Sequence, residues 1–139
     1  MLARRLLNTS LMRPSDHQRR ILLVDDQLAI LVAMGEHFSW LGFQVDMATS
    51  IEEAQALLRA RCYAAVVADS RLAVSDAHPG LQFIRMARAL SGKTRIILLS
   101  AAAPLDNDAR SRGADMVLRK WRPLPEVAEC LISLLEGSV

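Results

Sequence analysis

Four short apolar runs each give way to a polar residue: ILLV to Asp25-Asp26, AAVVA to Asp69, RIILL to Ser100 and MVLR to Lys120. Apolar runs of strand length, separated by stretches with helical periodicity, commit a chain to an alternating α/β layout. Such a layout lines up the ends of its parallel strands along one edge, so these side chains should converge. Two or three carboxylates, a hydroxyl and an ammonium gathered together can hold a divalent ion and a phosphoryl group.

The intervening segments fit that layout. After Ile21–Val24, the residues Leu28, Ile30, Leu31, Met34, Phe38 and Leu41 recur at helical spacing, and Gly42 supplies a stop. Gln44–Ala48 alternates and reads as a half-exposed strand. Ser50 is a fitting N-cap for a helix over 51–60, with Glu52 and Glu53 in its first turn. Ala64–Ala68 is a third strand, and a Gly/Pro-containing loop over 70–80 leads to a helix over 81–90. Arg95–Leu99 and Met116–Arg119 are strands four and five, separated by a short polar segment, 106–112, of at most two helical turns. A closing helix covers 125–136. The expected fold is a doubly wound five-stranded parallel sheet of flavodoxin-like order 2-1-3-4-5. Its ligand crevice lies between strands one and three, which carry the acids.

Composition narrows the function. At 139 residues with 52% hydrophobic and 23% charged content, the chain suits one globular domain. Residues 1–20 hold five arginines against Asp16, a net of +4, whereas 21–139 has 12 basic and 14 acidic residues, a net of −2. The basicity belongs to a tail, which argues against a nucleic-acid-binding face on the folded domain. Residues 1–19 read as a basic extension, disordered or an overextended start, and residues 20–137 as the domain. Leu2, Leu6 and Leu7 would share one face if the extension were helical, which leaves transit-peptide character and membrane or partner contact as alternatives. No apolar run approaches the ~18 residues that span a bilayer. Cys62 and Cys130 lack metal-ligand spacing and read as buried free thiols in a reducing cytoplasm.

Taken singly, each polar residue has a plain explanation. Asp pairs cap helices, a lone Asp69 suits a loop, Ser100 suits a local hydrogen bond and Lys120 a solvated charge. Together at four strand ends they are specific. Clustered carboxylates repel one another and recruit a cation such as Mg²⁺, which would also make one of them usable as a nucleophile toward phosphorus. Lys120 supplies a compact positive charge and Ser100 a hydroxyl donor for phosphoryl oxygens.

The segments ILLVDDQ, VVADSRL, IILLSA and GADMVLRK resemble, in order and spacing, the receiver domain of two-component response regulators. The likeness covers roughly residues 20 to 137 and is greatest to single-domain, chemotaxis-type receivers. It implies Asp69 as phosphoacceptor, Asp26 as a direct Mg²⁺ ligand and Asp25 holding the ion through water. The backbone carbonyl of Arg71 would complete the metal site, Ser100 would be the switch hydroxyl, Ala101 would leave the phosphate accessible, and Lys120 would contact it. The implied donor is a sensor histidine kinase or histidine phosphotransfer protein, and the implied output is contact with a downstream protein or a homodimer. The chain is then a stand-alone receiver, not an enzyme, with slow self-dephosphorylation at most. The alternative is a degenerate receiver acting as a constitutive interaction module. A phosphatase of the haloacid-dehalogenase type is disfavoured, because Gln27 and Leu28 stand where its second carboxylate is needed.

Three departures from the family pattern bear on behaviour. Lys120 is followed by Trp121 instead of proline, which leaves cis or trans open at that bond; a trans bond would aim the lysine differently and bear on the efficiency of phosphorylation. Val117 replaces the usual aromatic residue and, with one stiff rotamer axis, should mute coupling between Asp69 and the partner face. The 69–80 loop is long and 100–113 short, with Asp76 and His78 expected in solvent. Arg71 would either lie over the phosphoryl group or point to solvent. His17 and His37 read as a tail residue and a helix-surface residue.

Overall fold

The computed structural model describes residues 20–69, 79–100, 113–120 and 122–137. Five strands, β1 (Arg20–Val24), β2 (Gln44–Ala48), β3 (Ala65–Asp69), β4 (Arg95–Ser100) and β5 (Met116–Arg119), form one parallel sheet. Their order is β2-β1-β3-β4-β5, as the sequence implies. Four helices are described: α1 (Leu28–Trp40), α2 (Ile51–Ala60), α3 (Pro79–Leu90) and α4 (Leu124–Glu136).

Alternation along the strands divides the core into two layers. Leu22, Val24, Val66, Ala68, Ile96 and Leu98 pack with Ala54 of α2 and Phe83, Ile84 and Ala87 of α3. On the opposite face, Ile21, Leu23, Val67, Ile97 and Leu99 pack with Leu31, Met34 and Phe38 of α1 and Val127, Ala128 and Leu131 of α4. Burying each large side chain contributes about 1.5–3 kcal/mol. Phe38→Ala or Phe83→Ala would therefore cost about 3–5 kcal/mol.

Local signals set the element ends. Ser50 Oγ accepts from the Glu53 amide at 3.1 Å, and Glu53 reaches back to the Thr49 amide at 2.6 Å and hydroxyl at 2.7 Å. This exchange satisfies donors at the start of α2 and holds the exposed Glu53 carboxyl below its usual pKa, chiefly through the Thr49 amide. Gly42 turns the chain after α1 with φ of 105°, a conformation an L side chain disfavours. α3 starts at Pro79, two residues before the expected position, because proline is tolerated in a first helical turn.

Strands β3 and β4 each run one residue further than expected, through Asp69 and Ser100, which stand at strand ends as the joint reading holds. Two other details differ from expectation. Arg20, the first residue of the expected domain, begins β1 and approaches Asp46 at 3.6 Å. The cysteines are free but not buried: Cys62 is exposed in the turn between α2 and β3, and Cys130 is half-buried on α4. Apolar neighbours in sequence did not decide their burial, because one lies in a turn and the other at the margin of a helix face. The segment 106–112, Ala101, Asp76, His78, His17 and Trp121, with the peptide bond that precedes it, lie outside the described residues.

Candidate phosphoacceptor and metal site

The carboxyl ends of β1, β3, β4 and β5 gather the polar residues. Asp25 follows β1 and continues its ladder by donating its amide to the Ala48 carbonyl at 3.1 Å. Its side chain turns inward, fully buried, and Oδ1 accepts from the Gln27 amide at 2.8 Å. That bond occupies a donor at the entrance of α1, whose N-cap Gln27 makes no side-chain capping bond. Asp26, one residue on, is exposed. Asp69 ends β3 and is buried, opposite Leu99 in the register with β4.

Carboxylate oxygens of Asp25, Asp26 and Asp69 lie within 4.8 Å of one another. Lys120 projects from the end of β5 into the same space, with Nζ 2.7 Å from Asp69 Oδ2 and 3.4 Å from Asp25 Oδ2. Its side chain is nearly buried, so its charge is poorly screened by water. The Lys120 amide donates to the Ser100 carbonyl at 2.9 Å, which ties the last strand end to the fourth. Ser100 itself is buried at the end of β4.

Among the described residues three carboxylates gather around one ammonium, so like charges are crowded at this end of the sheet. Burial raises the pKa of Asp25 above its ordinary value, and the neighbouring Asp69 charge adds to the rise. The Gln27 amide and Lys120 oppose it without cancelling it. A group of hard carboxylate oxygens crowded in this way fits a small divalent cation such as Mg²⁺. The arrangement thus pairs a cation site with a carboxylate and an ammonium suited to a phosphoryl group.

Asp25, Asp26, Asp69 and Lys120 are brought together, with Ser100 at the neighbouring strand end. Arg71 lies outside the described residues, so its carbonyl is not placed. Val117, on β5 opposite Leu98, is half-buried and packs against the α2/α3 layer. His37 is half-buried near the end of α1, its ring edge-on to Phe38 with centroids 6.0 Å apart. Sequence reasoning passed over the Gln27 amide that fixes Asp25. A polar residue two positions after an acid at a strand end was the available signal.

The model of the response regulator receiver domain matches residues 21–130. The chain is 32% identical over 112 residues to the alginate biosynthesis transcriptional regulatory protein AlgB of Pseudomonas aeruginosa. That match takes in 78% of this chain and 24% of the relative, so the chain spans about a quarter of the relative's length. Among solved structures it is similar to a CheY-like receiver domain protein from Methanospirillum hungatei, with TM-score 0.78 and 25% identity over 86% of this chain and 94% of that one. It is also similar to the response regulator TrrA of Thermotoga maritima, solved in complex with Mg²⁺-BeF, with TM-score 0.72 and 28% identity over 84% and 98% of the two chains. Sheet order, strand-end site and family match agree: the chain belongs to the response regulator receiver domain family.

Proposed function

We propose that the chain accepts a phosphoryl group on Asp69 from a sensor histidine kinase or histidine phosphotransfer protein and signals through protein contacts. The observation that supports this reading best is the three-carboxylate cluster with Lys120 Nζ 2.7 Å from Asp69 Oδ2. Asp26, Asp69 and the Arg71 backbone carbonyl would hold Mg²⁺ directly, with Asp25 acting through water. When bound, the ion supplies charge neutralisation between the carboxylates and an incoming phosphoryl group.

An Asp69 carboxylate oxygen attacks phosphorus, the bond from phosphorus to the donor's imidazole nitrogen breaks, and that nitrogen keeps the electron pair. Lys120 already touches Asp69, so its charge can follow as negative charge shifts onto the phosphoryl oxygens. Ser100, at the neighbouring strand end, offers a hydroxyl to one of them. The chain is in this reading the acceptor of a transfer and not a catalyst with turnover. A cytoplasmic setting accords with its two free thiols. Among the described residues no helix is long and apolar enough to cross a membrane.

The test is incubation with acetyl phosphate, with and without Mg²⁺, read by intact mass beside Asp69→Asn. The expected result is one Mg²⁺-dependent phosphoryl adduct, absent in the variant. A folded protein that forms no adduct, and that also fails to bind beryllofluoride, would overturn the reading in favour of a constitutive interaction module.

A further inference from the structure

Among the described residues five large apolar side chains are exposed, and four of them cluster: Leu28 (62%), Val32 (42%) and Trp40 (38%) on α1, and Met47 (46%) on the adjacent β2. Leu28, Val32, Glu36 and Trp40 form one i,i+4 row along α1, with Ala29 and Ala33 exposed beside it. Met47 lies against the same helix, since a Cβ added at Gly35 would stand 3.3 Å from its Sδ. Glu36 is the row's one charge. A helix this apolar on its outer side is ordinarily covered there, and such a patch marks a surface that binds something.

We propose that residues 2–12 of the same chain cover this face. Their attachment point is close: Arg20, where β1 begins, is the register partner of Gln44, which follows directly on the turn after α1. The segment therefore joins the fold at the end of the sheet where α1 finishes. The seven residues from Arg13 to Arg19 reach about 24 Å when extended, and the 13 residues of α1 are about 20 Å long, so the whole row is accessible to it. The pattern is complementary. Leu2, Leu6, Leu7, Leu11 and Met12 supply apolar side chains, Arg4 and Arg5 are opposite in charge to Glu36, and residues 1–12 contain no acid. The row starts two residues after Asp26, so any partner docking on α1 would compete with the segment.

The test uses the full chain carrying Trp121→Phe, which leaves Trp40 as its one tryptophan. Adding Leu6→Asp/Leu7→Asp should raise acrylamide quenching of Trp40 about threefold as the covered population is lost, with unchanged far-UV circular dichroism. In the parent, the protection should be independent of protein concentration. Hydrogen exchange across α1 in the otherwise native chain, with and without Leu6→Asp/Leu7→Asp, gives a second measurement, with faster exchange expected in the variant. Equal quenching and equal exchange with and without the two aspartates would overturn the proposal. So would protection that disappears on dilution together with a dimer-to-monomer shift in sedimentation, which would assign the face to a second copy. Neither readout involves phosphorylation, so failure here is separable from failure of the proposed function.

Discussion

The two ends of the sheet handle charge in opposite ways. Toward the amino-terminal end two acids, Asp46 and Asp115, are each met by two arginines. Asp115 meets Arg88 at 2.7 Å and Arg95 at 3.2 Å, and Asp46 meets Arg61 at 3.3 Å, Arg20 at 3.6 Å and the Tyr63 hydroxyl at 2.6 Å. At the carboxyl-terminal end, among the described residues, three acids gather around Lys120, which approaches Asp69 at 2.7 Å and Asp25 at 3.4 Å. The first arrangement pairs acids with cations drawn from distant parts of the chain. The second crowds acids together, the arrangement that in the proposed function meets a cation and a phosphoryl group. Crowding of like charge, more than the number of polar residues, distinguishes the proposed working end of this fold from the supporting end.

Arg88→Ala should show the largest stability effect. Arg88 donates to the carbonyls of Gly92 at 2.9 Å, Thr94 at 2.7 Å and Gly113 at 2.8 Å besides pairing with Asp115. Its loss strands several partly buried acceptors at once and should cost about 2–3 kcal/mol, after allowance for partial exposure, as a lower urea midpoint. An unchanged midpoint would remove the contrast between the two ends.

Asp25→Asn should have the opposite sign. Because Asp25's pKa is raised in the folded state, its contribution is favourable below the ordinary carboxylate range and is lost as pH rises through the folded value. Without divalent ions the variant should therefore be more stable than the native chain at neutral pH. The advantage should shrink as pH falls into and below the carboxylate range, and added Mg²⁺ should reduce it at neutral pH. Thermal unfolding over a pH series checks both trends.

Tyr63→Phe should be the mildest change. It removes the 2.6 Å bond to Asp46 while Arg20 and Arg61 remain, costing about 1 kcal/mol in the same urea measurement. Burial, with Asp46 beside it, also pushes the Tyr63 hydroxyl's pKa upward, so no phenolate should be seen on titration through the ordinary tyrosine range.

The working end was legible because covalent order constrains it. Strand length and right-handed crossover force residues ending successive apolar runs onto one edge, which places Asp25, Asp69, Ser100 and Lys120 without knowledge of packing. The Ser50 cap was legible for a similar reason, since its partner Glu53 is three residues away. The supporting end was not. Arg88 and Asp115 are 27 positions apart and Asp46 and Tyr63 are 17 apart, and no local pattern announces either pairing. Cys62 shows the same limit: its apolar neighbours could not reveal that it lies in a turn.

The most direct measurement treats Asp26→Asn and Asp115→Asn side by side with acetyl phosphate and Mg²⁺, at a temperature where circular dichroism shows both folded. Asp26→Asn should lose most of the phosphoryl adduct in intact mass, and Asp115→Asn should keep it in full despite lower stability. Full labelling of Asp26→Asn, or loss of labelling in folded Asp115→Asn, would contradict the division of the molecule into a working end and a supporting end.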